Sequence, residues 1–110
     1  MKVKKISAII RSSVLSEVEK RLKEIGVKGM SVSSVRGFGQ GMDEWTFNPN
    51  KLVGHAKIEI WAREEMASQI VHVILDSAQT GLADDGMVAV SPVEHVWRVR
   101  TKTEATEDEI

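Results

Sequence analysis

Residues 2–11 alternate between polar and apolar side chains, so that Ile6, Ala8 and Ile10 fall on one face, the pattern of a half-buried strand. The period then lengthens. Val18, Leu22 and Ile25 recur at helical spacing, Ser16 with Glu19 matches a capping box, and Gly26 supplies the left-handed residue that ends a helix. Strand patterning returns over 29–36 and 55–61; in the latter Ala56, Ile58 and Ile60 point inward and Lys57, Glu59 and Trp61 outward. A second helix is predicted over 64–78, with Met66, Ile70, Val73, Ile74 and Ser77 on one stripe. Two strands, 86–90 and 93–100, complete the pattern around Pro92, a residue that marks a bend or an edge. The order strand, helix, strand, strand, helix, strand predicts an α+β fold, a ferredoxin-like βαββαβ sandwich whose antiparallel sheet carries both helices on one face.

One stretch has neither period. Gly39 to Gly54 reads GQGMDEWTFNPNKLVG, and a patternless segment of this length in a small domain is functional or disordered. It follows Gly37-Phe38-Gly39, where glycines at both flanks permit positive φ angles and a close approach of the backbone to a bound group. Trp45 and Phe47 lie within it, and exposed aromatic residues are costly unless they anchor a partner or fold back on the body.

Composition narrows the classes. The 110 residues suit one domain, and 42% hydrophobic with 28% charged residues is the balance of a soluble globular protein. No apolar run approaches the ~18 residues of a membrane span, and the first one is cut short by Arg11 before it could serve as a secretory signal. The absence of cysteine removes disulfides, thiol catalysis and cysteine metal sites, and with the rest predicts a cytoplasmic protein that is not membrane-inserted. A net charge of −1 argues against nucleic acid as a partner. The acid is concentrated at Glu104, Glu107, Asp108 and Glu109, which predicts a mobile acidic tail over 102–110 on a mildly basic body.

Catalytic chemistry finds little support. His55, His72 and His95 fall on separate elements without metal-pair spacing, and the serines are explained by strand and capping roles without a nucleophile elbow. Asp84 and Asp85 are adjacent, an arrangement that in a turn caps amides more readily than it forms an acid–base pair. An RNA-recognition module would display aromatic residues on its central strands, where only Trp61 is found. No enzyme and no metal site is predicted. Two features remain. Arg98 and Arg100 stand two apart on the expected last strand, where both guanidinium groups would leave one face toward an anion such as a phosphate, or else guard a sheet edge. Residues 80–86, TGLADDG, could offer backbone amides to an anion, or could simply end a helix at Gly81.

The runs GMSVSSVRGFGQ, KIEIW, SAQTGLADDGMVAV and VWRVRT agree in order and spacing with one known group: residues 1–101 resemble the PII signal-transduction family. The resemblance implies a homotrimer of ferredoxin-like subunits that binds adenine nucleotides in clefts between subunits and signals through a T-loop, here 38–54. It assigns Gly37, Phe38 and Gly39 to the phosphate side, Glu59 and Trp61 to the base with Gly29 and Ser31 nearby, and Arg98 and Arg100 to the phosphates. Thr80, Asp85 and Gly86 join them in a second nucleotide loop, and Gln40 matches a glutamine that serves magnesium and 2-oxoglutarate. The departures have consequences. Leu82 and Met87 stand where the family pattern has lysines and Asp84 where it has glycine, so ADP or AMP is expected to be favoured over ATP. The chain has no tyrosine, which excludes uridylylation, and His55 replaces a lysine that contacts 2-oxoglutarate, which leaves bicarbonate as another candidate effector. The expected role is regulation of a transporter or metabolic enzyme in nitrogen or inorganic-carbon metabolism, with Trp45 and Phe47 as partner contacts; the alternative is a PII-derived interaction or assembly subunit that senses no ligand.

Overall fold

The computed structural model describes residues 2–35 and 54–110. β1 (Val3–Arg11) leads through a 3-10 turn (Ser12–Val14) into α1 (Leu15–Glu24), followed by β2 (Ser31–Val35), β3 (His55–Arg63), α2 (Glu64–Ala78) and β4 (Gly86–Val93). A short hairpin, β5 (Trp97–Arg98) and β6 (Thr103–Glu104), and a 3-10 turn (Glu107–Glu109) close the chain. The large sheet runs β2-β3-β1-β4, antiparallel throughout, which is the strand order of the ferredoxin-like sandwich.

Register follows from the alternation. Ile6 lies opposite Ile60 and Ala8 opposite Ile58, so the apolar sets of the two central strands share one face, and both helices lay their stripes on it. Ile6, Ile58, Ile70 and Ile74 are completely buried, each stabilising the fold by about 1.5–3 kcal/mol relative to exposure. Among the described residues nothing packs on the opposite face: Ile9, Trp61 and Met87 all point away from the helices and are exposed, Met87 to 81%.

The expected capping box does not form. The 3-10 turn has already reversed the chain, so α1 begins at Leu15 with Val14 as its cap and Ser16 inside the first turn. The other end is as expected: Gly26, at φ +94°, lets its own N–H reach the Lys23 carbonyl and that of Val27 reach Leu22, a Schellman closure.

The last third departs further from expectation. β4 runs unbroken through Pro92, which an edge strand tolerates because one side of its backbone needs no donor. Instead of a strand over 93–100, the chain leaves the sheet and folds back, with Trp97 opposite Glu104 and Arg98 opposite Thr103. Arg100 therefore sits in the turn between β5 and β6, and the two arginines do not share a strand face. Residues 102–110, expected as a mobile tail, form the return arm, tied down by the Ala105 N–H to Val96 carbonyl bond of 2.8 Å and by the burial of Ala105. Among the described residues no helix is long and apolar enough to cross a membrane.

Candidate functional site

Two clusters gather the sequence-predicted site residues, at opposite ends of the sheet. The first is a cavity of about 690 Å³ between the start of β2, the end of β3 and the C-terminal hairpin. Gly29, Ser31, Glu59, Trp61 and Arg98 all line it. The pairing explains the convergence: Ser31 lies directly opposite Glu59, and Trp61 follows two residues later on the same outward face. The Trp61 side of the cavity is an open aromatic plate, with the residue 58% exposed. Beside it the Glu59 carboxylate lies 3.1 Å from Lys57 Nζ and 3.7 Å from Lys5 Nζ. The Lys57 hydrogen bond above all, then the charge of Lys5, holds the Glu59 carboxyl below its ordinary value, so it is an ionised acceptor at neutral pH. Arg98 contacts the Glu109 carboxylate, and Arg100 is not part of this wall. An aromatic plate, a fixed acceptor and a cation suit a planar heterocycle bearing an anionic group.

The second cluster is the loop from Thr80 to Gly86. The Asp85 carboxylate accepts the N–H groups of Thr80 and Gly81 at 2.8 Å each and the Thr80 hydroxyl, and Arg11 Nε donates to it at 3.1 Å. These donors, the Thr80 hydroxyl foremost, hold the Asp85 carboxyl far below the usual carboxylate range. Asp84 turns inward, buried, and pairs with Arg11 Nη2. His55 Nε2–H donates to the Asp84 main-chain carbonyl at 2.8 Å. Gly86 has φ +114°, and a Cβ there would lie 1.7 Å from the Ile9 carbonyl oxygen, so only glycine lets β4 start beside β1.

This arrangement corrects one expectation and refines another. Asp84, expected to face a bound phosphate, is instead neutralised by Arg11, because a carboxylate at this depth is stable only when paired. The Asp85 carboxylate organises its own loop, which leaves Thr80 and Gly86 without a free acidic neighbour there. Leu82 and Met87 are both exposed, so the two positions of the lost lysines present apolar side chains to solvent. Gly37, Phe38, Gly39, Gln40, Trp45 and Phe47 lie outside the described residues.

Sequence reasoning missed Arg11, Lys28 and Trp97. Arg11 ends a strand pattern, and only its charge beside the paired aspartates could have signalled a partner. Lys28 and Trp97 line the cavity, and Lys28 Nζ donates to the Asp108 main-chain carbonyl. The clusters do not meet within one chain. His55, beside the loop, and Trp61, in the cavity, are six positions apart on β3, about 20 Å of extended strand.

The chain matches known proteins along nearly all its length. The sequence profile described as "Nitrogen regulatory protein P-II" fits residues 3–103. The nitrogen regulatory protein P-II of Pasteurella multocida is 39% identical over 107 residues, spanning 93% of this chain and 96% of its own. The P-II homolog of Arabidopsis thaliana is 36% identical over 105 residues, 88% of this chain, and the match spans only 53% of that longer protein. Among solved structures, Arabidopsis thaliana PII bound to citrate superposes with a TM-score of 0.81 at 34% identity, covering 99% of this chain and 92% of the other.

Proposed function

The chain belongs to the nitrogen regulatory protein P-II family, whose members are signalling regulators, and from that premise we propose that it is a trimeric sensor of adenine nucleotides. The observation that carries this reading is the separation of the two clusters. The cavity supplies a plate and an acceptor for a base, and the 80–86 loop, whose Thr80 and Gly81 amides are held by Asp85, occupies the position of the family's second nucleotide loop, yet one chain holds them about 20 Å apart. A second copy would bring its loop to the first copy's cavity. The exposed apolar side chains Ile9, Trp61 and Met87 on the uncovered sheet face support such an assembly.

The preference for ADP or AMP over ATP rests on the missing lysines alone, since Asp84 is paired inside the fold. With Leu82 and Met87 at those positions, each further phosphate adds charge that finds no partner. Calorimetric titration with AMP, ADP and ATP, with and without magnesium, is expected to give tighter binding of ADP or AMP; tighter binding of ATP rejects the preference.

A second effector of the small carboxylate or bicarbonate class fits the family, and the structural neighbour carries citrate. His55 is buried and bonds the Asp84 carbonyl, so it does not stand in for the lysine that would hold 2-oxoglutarate, and bicarbonate stays the other candidate effector. Output to a transporter or metabolic enzyme would run through residues 38–54, with Trp45 and Phe47 as contacts, in the cytoplasm. One observation favours the alternative of a non-sensing assembly subunit: Arg98 already has a carboxylate partner. Absence of heat with every nucleotide would select it.

A further inference from the structure

The final residues compete for the cavity. Two cations stand among its described lining residues, Lys28 and Arg98, and the segment 106–110 engages both: the Asp108 carbonyl accepts from Lys28, and Glu109 pairs with Arg98. Asp108, Glu109 and Ile110 themselves line the cavity together with Ser31, Glu59 and Trp61. Glu109 is held for this contact. One carboxylate oxygen accepts the Thr106 N–H at 3.3 Å and the Thr106 hydroxyl at 3.1 Å, which leaves the other for the arginine. The root of the segment is fixed in turn by Ala105, buried and hydrogen-bonded to Val96.

We infer that residues 106–110 form an autoinhibitory strap in which the Glu109 carboxylate occupies the place of a ligand phosphate on Arg98. This rests on the nucleotide reading of the cavity given above. A phosphate has the same chemistry toward a guanidinium as a carboxylate, with more charge and more acceptor oxygens, so a nucleotide can displace Glu109. The pair is suited to exchange. Its side chains are 46% and 29% exposed; only the contacting Glu109 oxygen is covered, so once the segment lifts water reaches both charges. Glu107 and Asp108 beside it add negative potential against an approaching anion until the strap leaves. Glu109 thus sets the nucleotide concentration at which the cavity fills.

The test titrates ADP into the unaltered full chain and into full-chain Glu109→Gln and Thr106→Val, with hydrogen exchange read on amides 106–110. Both variants are expected to bind ADP about two- to five-fold more tightly, the scale of a partly exposed ion pair. In the unaltered protein, exchange at 106–110 should accelerate when ADP is added. A merely structural role for Glu109 would leave affinity equal or lower, and that result overturns the strap, as does exchange unchanged by bound ADP. If all three chains bind ADP equally, only the strap fails; if none binds, the nucleotide reading fails and the strap with it. Should Glu109→Gln not fold, Thr106→Val and the exchange measurement decide alone.

Discussion

The two ends of the sheet use one chemical pair in opposite ways. At the loop end Arg11 meets Asp84 with 10% and 8% of the side chains exposed; at the cavity end Arg98 meets Glu109 with 46% and 29% exposed. Burial decides what each pair can do. A pair withdrawn from water cannot open without stranding a charge in a poor solvent, so Arg11 and Asp84 act as fixed scaffold for the 80–86 loop. A pair in contact with water separates at little cost, so Arg98 remains available to another anion. The same guanidinium–carboxylate contact is structure at one end and an exchangeable latch at the other.

The largest effect should follow from breaking the buried side of this comparison. Arg11→Met leaves Asp84 without its counter-charge and removes one of the donors to Asp85, and a loss of about 3–5 kcal/mol in unfolding free energy is expected by denaturant titration. A loss no greater than that of an exposed pair would erase the distinction.

Acid sharpens it next. The Asp85 carboxyl is held below its ordinary value in the folded protein, so it contributes stability above pH about 4, and this contribution drains away as pH falls from there through the lowered value. Asp85→Asn should therefore shallow the acid decline of the melting temperature below pH about 4 and leave its slope between pH 5 and 7 unchanged. A slope altered only near neutrality would point to another group.

The smallest effect belongs to the exposed pair. Glu109→Gln should change unfolding free energy by less than about 1 kcal/mol, a shift of a few degrees at most in a thermal melt. A larger loss would make the latch a second scaffold.

Legibility in the sequence tracked the range of the interactions. α2 occupies Glu64–Ala78 as its stripe predicts, and β3 turns Ala56, Ile58 and Ile60 inward, because burial of a periodic face is a local property repeated many times. Five site residues named from the resemblance, Gly29, Ser31, Glu59, Trp61 and Arg98, do meet in one cavity. Arg11 was invisible because its partner Asp84 is 73 positions away, brought near only by the pairing of β1 with β3 and β4. Arg100 does not share the face of Arg98, because spacing two apart implies one face only while a strand lasts, and the strand ends at Arg98. The acidic 102–110 reads as a free tail on charge alone, yet it is attached by the pairing of β5 with β6, by the Ala105 bond to Val96 and, through Arg98, by that same charge.

The sequence alone determined the alternation and helical stripes, hence the two layers and the outward row from Glu59 to Trp61, because each depends on side-chain periodicity that any register must respect. Tertiary structure alone decided which charges are spent and which are held in reserve. Depth below the surface sets the cost of separating two charges, and depth is fixed only when distant strands, loop and hairpin have come together around them.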